Sequence, residues 1–191
     1  LMIRLLRRLD AVFDVRIPNR LKEGYGLNRD AVDRAAEDGF RLIVTVDNGV
    51  SAVEEIAYAR ERGIDVVVTD HHEPPAVLPE ALSLVNPKLP DCPYPFKGLS
   101  GAGVAYKLAQ ALLGRHETEF ADLAAIGTVA DLMPLVDENR ALVRIGLDRL
   151  RSAASPGLRA LAEACGFDPA DINSGRIAFG LAPRLNAGGR L

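Results

Sequence analysis

The chain has 191 residues, 48% of them hydrophobic, with a formal net charge of -3 and a pI of about 5.7. That length and apolar content support a sizeable core, in one domain or one domain plus an appendage. The mildly acidic balance excludes bulk nucleic-acid binding through a basic face, so any nucleic-acid contact has to be local. Cys92 and Cys165 stand apart from each other, which excludes a zinc knuckle and a disulfide framework. No run approaches the ~18 apolar residues of a membrane span, and the apolar, basic start lacks a small-residue cleavage site. A cytoplasmic protein without a membrane partner is expected.

In residues 1–10, Ile3, Leu5, Leu6 and Leu9 recur at near-helical spacing, with Arg4, Arg7 and Arg8 on a solvated face. The alternation Val12-Phe13-Asp14-Val15-Arg16-Ile17 then predicts a strand, stopped by Pro18. Residues 19–26 read as a loop carrying Arg20, Glu23, Tyr25 and Gly26. Asn28 caps a helix through Asp38, closed by Gly39.

Residues 41–46 predict a strand ending on Asp47-Asn48-Gly49. Ser51 and Glu54 form a capping box for a helix through Arg62, with Gly63 as its stop. The next strand, Asp65-Val66-Val67-Val68-Thr69, reads as covered on both faces, and it breaks off on Asp70-His71-His72 before two prolines. A strand–helix–strand unit places its strands parallel, with a right-handed crossover and both carboxyl ends on one sheet edge. Neighbouring strands lie about 4.8 Å apart, so Asp47 is expected beside the Asp70-His71-His72 turn, where open α/β sheets bind ligands.

Residues 82–85 predict a short strand and residues 86–98 a proline-rich connection. Ser100-Gly101-Ala102-Gly103 opens a helix towards Leu113. Gly101 and Gly103 either cradle a phosphate at that helix start or allow close packing against a neighbour. From Glu117 the composition is helical as far as Asp131, a carboxylate set among apolar residues near a helix C-terminus. There it opposes the helix dipole, and burial is costly without a cation or a strong donor. The alternative is an exposed helix-end Asp bonded to a backbone N–H.

Residues 138–151 and 156–165 read as amphipathic helices, and Asp168-Pro169 as the start of another. Residues 182–190, with Asn186 and Arg190, suit either a phosphate-contacting loop or a turn with solvated arginines. The expected fold class is α/β. Residues 1–115 form a parallel sheet flanked by helices and residues 116–191 a helical part of the same domain.

Asp47, His71 and Asp131 are hard or borderline ligands at the ends of buried elements. Mixed imidazole and carboxylate donors favour Mn2+ over Ca2+, with Mg2+ as the other option. Two such ions about 3.5–4 Å apart activate water and stabilise the oxyanions of a phosphoryl displacement. A serine triad lacks support, because no Gly-x-Ser-x-Gly elbow occurs.

The chain resembles the DHH phosphoesterases, and among them the RecJ-type single-strand-specific DNA exonucleases. The resemblance rests on Ile17-Pro18-Asn19-Arg20 with Glu23-Gly24-Tyr25-Gly26, on Thr45-Val46-Asp47-Asn48-Gly49, and on Thr69-Asp70-His71-His72. It extends through Ser100-Gly101-Ala102-Gly103-Val104-Ala105, the stretch from Gly127 to Leu135, and Ala182-Pro183-Arg184-Leu185-Asn186. It implies that Asp47 bridges two metal ions while His71 and Asp131 complete the ligands of one. Asp70 then orients the imidazoles and His72 contacts the scissile phosphate. Arg20 is the candidate for gripping a terminal phosphate, with Arg190 a further candidate for the backbone. The implied activity is 5′ to 3′ hydrolysis of single-stranded DNA in recombination and repair.

The family's earlier Asp-x-Asp motif has no counterpart before Val12, and its C-terminal nucleic-acid-binding domain has none either. The expectation is therefore a fragment of a monomeric nuclease, with an incomplete two-metal site, little activity of its own, and a tendency to self-associate through an exposed sheet edge. Two rivals share the motifs: another DHH hydrolase acting on short oligonucleotides or pyrophosphate, and a non-catalytic replication scaffold of the same fold.

Overall fold

The structure, a computed structural model, describes residues 1–18 and 24–188. Its sheet is built around the three consecutive valines. β1 (Leu42–Val46), β2 (Asp65–Thr69) and β3 (Ser83–Val85) lie side by side in that order, all parallel. Val44 pairs with Val67, Val46 with Thr69, and Thr69 with Val85, so the three carboxyl ends are level. As the middle strand β2 is covered, with Val66 and Val68 at most 2% exposed, which β-branched side chains suit.

Two compact units make up the chain: residues 3–97, and residues from 98 onward together with residues 1–2. In the first, α1 (Met2–Arg8) precedes the sheet and buries Leu5. α2 (Arg29–Glu37) is capped by Asn28, whose Oδ1 accepts the Ala31 N–H at 2.8 Å. α3 (Val53–Glu61) is the crossover between β1 and β2. Val32, Ile56, Ala59, Ile64, Val66 and Val68 form the core of this unit. Each large member contributes about 1.5–3 kcal/mol through burial.

In the second unit α4 (Gly101–Leu113), α5 (Ala121–Ala130), α6 (Asp137–Ala153) and α7 (Pro156–Ala164) follow one another. Leu150, Leu158, Ala162, Ile172, Ile177 and Leu181 share its core. α5 and α6 approach so closely at Gly146 that a Cβ there would fall 2.3 Å from the Ala121 carbonyl. Among the described residues no helix is long and apolar enough to cross a membrane.

Three expectations are corrected. Residues 12–17 form no strand: Val12 and Ile17 are 95% and 84% exposed, so the alternation finds neither a strand to pair with nor a core to face. The Ser51–Glu54 capping box does not form, because α3 starts one residue later on Ala52 with no side-chain cap. Residues 182–188 are not a loop but α9 (Ala182–Gly188), running on from the short α8 (Ser174–Arg176) through a π turn over Ile177–Leu181. Pro183 lacks an N–H for the regular ladder, and a widened turn just before it relieves that conflict.

Candidate metal centre

The level strand ends place three polar residues together: Asp47 after β1, Asp70 after β2 and Asn86 after β3. Asp47 turns sharply. Its φ is 65°, left-handed and rare for a residue with a Cβ, while its N–H still donates to Thr69 O at 2.9 Å. The Thr45 hydroxyl donates to Asn48 O at 2.7 Å and closes the turn. Gly49 is required within it: its φ is 109°, and a Cβ would lie 2.7 Å from Thr45 Oγ1.

Asp70 is 1% exposed and fully engaged. Oδ1 accepts the His71 N–H at 2.8 Å, the His72 N–H at 3.2 Å and the His72 ring at 2.6 Å. Oδ2 accepts the Val50 N–H at 3.0 Å, from the turn that follows Asp47. Burial, the largest single influence, pushes this carboxyl up. The Val50 N–H, the His72 ring and the two histidine N–H groups together outweigh it and hold the group below its ordinary range. An ionised carboxylate only accepts, so the His72 proton sits on Nδ1 and Nε2 is left for other work.

His71 points the other way. Its Nε2 lies 3.0 Å from Asp47 Oδ1, with the imidazole buried and the carboxylate half exposed. Two lone-pair atoms that close require a proton or a cation between them. Asp47, His71 and His72 present ligand atoms all within 4.8 Å of one another. Mixed carboxylate and imidazole donors suit a Mn2+-like divalent ion, so the residues present fit the metal that the sequence implied.

Of the residues predicted from sequence, Asp47, Asp70, His71 and His72 come together. Asp131 belongs to the second unit, where it is the C-cap of α5 and donates its N–H to Gly127 O at 3.0 Å. It is exposed rather than buried among its apolar neighbours: Leu132 turns left-handed at φ 55° and is itself 83% exposed. Gly101 and Gly103 are buried at the start of α4. The Gly103 N–H is taken by the Ser100 hydroxyl at 3.0 Å, and a Cβ there would press on the Leu99 side chain at 3.3 Å. Close packing accounts for that glycine. Asn186 lies exposed on α9. Arg20 and Arg190 lie outside the described residues.

Several supporting residues were given no role in the sequence reading, although Tyr25, Thr45 and Thr69 stand in the stretches it singled out. Tyr25 donates its hydroxyl to Asp47 O at 2.5 Å. Asn86 is 2% exposed and donates from Nδ2 to His72 O at 2.9 Å. The Thr69 hydroxyl donates to Thr45 O at 2.7 Å and ties β2 to β1. Buried Asn139 donates from Nδ2 to Gly98 O and Pro134 O, at 2.7 and 3.0 Å, and so steadies the turn after Asp131. Asn86 carried a usable signal: it follows β3 directly, as Asp47 follows β1.

Fold and site together define an α/β protein whose parallel strands end on a cluster of carboxylate and imidazole that could hold a divalent metal ion. The chain belongs to the DHH family, since the family model described as "DHH family, N-terminal domain" matches residues 1–128. It is similar to the single-stranded-DNA-specific exonuclease RecJ of Bacillus subtilis (strain 168), 52% identical over 190 residues. That match covers 100% of this chain and 24% of the relative. The crystal structure of an exonuclease RecJ bound to manganese superposes with a TM-score of 0.87 at 41% identity, covering 99% of this chain and 48% of that one. RecJ from Thermus thermophilus in complex with Mn2+ gives a TM-score of 0.81 at 38% identity, covering 99% and 27%. The chain thus spans about a quarter of the length of the curated relative.

Proposed function

We propose that this chain carries the metal centre of a single-stranded-DNA exonuclease, hydrolysing phosphodiester bonds from the 5′ end in recombination and repair in the cytoplasm. The observation that carries the reading is the junction of Asp47 and His71, with Asp70 holding His72 alongside. Asp47 Oδ1 and His71 Nε2 would hold the divalent ion. When bound, Mn2+ or Mg2+ supplies an activated water and stabilises developing oxyanion charge.

The rest is done by side chains of the chain itself. Asp70 fixes the His72 ring through Nδ1, leaving Nε2 to take or give a proton at a phosphate oxygen. A ring held in this way needs no reorientation as substrate arrives. Arg20 is the proposed grip on a terminal 5′ phosphate, because a guanidinium forks onto phosphate oxygens. Arg190 and Asn186 are proposed backbone contacts.

The test is Mn2+ binding by calorimetry, together with hydrolysis by the whole protein. Wild-type chain is expected to bind Mn2+, and His71→Ala and Asp47→Ala to weaken binding at least tenfold. The whole protein is expected to release nucleotides from 5′-labelled single strands in preference to dinucleotides or pyrophosphate. Equal Mn2+ binding by wild type and His71→Ala overturns the site, and preference for pyrophosphate overturns the substrate.

A further inference from the structure

We propose that Tyr25 is a positioning residue for this centre: its hydroxyl holds the Asp47 backbone in the left-handed pose from which the carboxylate meets His71. The inference rests on the metal-site reading above. Three observations lead to it. Asp47 has φ 65°, a conformation that a residue with a Cβ keeps only when its surroundings impose it. The N–H side of that residue is tied to β2 through Thr69 O. The carbonyl side is tied by Tyr25, 22 positions earlier, at 2.5 Å. Between them the two bonds fix both peptide planes that flank the Asp47 Cα.

The segment carrying Tyr25 is itself shaped for this contact. Gly24 and Gly26 both have positive φ, 80° and 88°, which makes a corner open only to glycine on both sides. A Cβ at Gly26 would meet the Asn48 side chain at 3.8 Å, so the corner lies directly on the Asp47 turn. Core packing does not explain the ring, which is 58% exposed. It instead meets the His72 ring, with centroids 6.4 Å apart and planes at 77°, a favourable T-shaped arrangement. One side chain thereby meets both Asp47, whose carboxylate approaches His71 Nε2, and His72. Without the hydroxyl the peptide between Asp47 and Asn48 loses its anchor on the carbonyl side, leaving the Thr45 bond to Asn48 O to close the turn, and the carboxylate is held less firmly in its approach to His71 Nε2.

Two readouts decide it, neither of them activity. Tyr25→Phe removes the hydroxyl and keeps the ring. In the metal-free 191-residue chain, amide exchange and 15N shifts over residues 47–49 are followed, and Mn2+ affinity is then measured by calorimetry. With the circular dichroism of the wild type retained, Tyr25→Phe is expected to speed exchange over 47–49 several-fold and to weaken Mn2+ binding three- to tenfold. Tyr25→Ala is expected to do the same and to shift the His72 ring resonances as well. Exchange and affinity both within twofold of wild type in Tyr25→Phe overturn the proposal. Altered affinity with unchanged exchange also overturns it, because the hydroxyl would then act on the metal and not on the backbone. Should wild-type chain bind Mn2+ no better than His71→Ala, the metal-site reading falls, and the exchange data alone decide whether Tyr25 holds Asp47.

Discussion

Asp70 accepts the Val50 N–H at 3.0 Å, so the carboxylate that ends β2 also fastens the turn that follows β1. Its other oxygen serves His71 and His72. One buried side chain thereby sets the relation between the two strand ends. Asp70→Ala is expected to cost about 2–4 kcal/mol, since several N–H groups lose a charged acceptor together. Mn2+ affinity is expected to fall about 10–100-fold, because the turns that present Asp47 and His71 lose the carboxylate that fastens them together.

The same residue gives a pH signature. Its carboxyl is held below the ordinary value of 3.8 in the folded chain. The unfolded chain therefore takes up the proton first, so stability rises with pH in this range. The contribution is complete above the unfolded value and is lost as pH falls through the folded one. Urea unfolding of the metal-free wild type and Asp70→Asn should show a stability gap that is flat between about pH 7 and pH 5 and narrows below about pH 4. A gap that stays constant to about pH 3 contradicts this account.

Gly49 and Gly157 should respond oppositely to the same substitution. Gly49→Ala places a Cβ 2.7 Å from Thr45 Oγ1 at φ 109° and is expected to cost about 1–3 kcal/mol, with weakened Mn2+ binding. Gly157 lies in α7 with open space around it. Gly157→Ala is expected to be neutral or to stabilise by up to ~1 kcal/mol, with Mn2+ binding unchanged. Thermal melts and calorimetry of the two variants read both effects.

Among the described residues β1 pairs on one side only, with β2. Leu42 and Val46 along it are 49% and 37% exposed, and the Asn48 side chain covers only the Val46 carbonyl, at 3.0 Å. Such an edge favours pairing with another chain, and charge blunts it. Sedimentation velocity is expected to show concentration-dependent association of the wild type, reduced in Leu42→Lys with Val46→Lys. A wild type that stays monomeric at high concentration counts against it.

Much of the first unit was legible because its signals are local. Three valines in a row suit a covered strand, Asn28 caps the helix it precedes, and the strand–helix–strand spacing implies parallel neighbours with level ends. Residues 12–17 misled because alternation records a preference for pairing and not the presence of a partner. Residues 182–188 misled because proline, glycine and asparagine suggest a loop, whereas the preceding π turn lets the helix continue through Pro183.

Which residues gather at the sheet edge is written in the chain. Asp47 and the Asp70-His71-His72 run follow apolar runs of strand length, and the structure brings Asp47, His71 and His72 together, whereas Asp131, read from sequence as a ligand beside Asp47 and His71, lies in the second unit. How they are held depends on contacts between distant segments. Asp70 reaches across to the Val50 N–H, Asp47 bends left-handed, and Tyr25 and Asn86 brace Asp47 and His72, through bonds that join residues 14 to 22 positions apart. Hydrogen bonds across such separations leave no periodicity in the chain, because each is fixed by strand register and turn geometry and not by its neighbours in sequence.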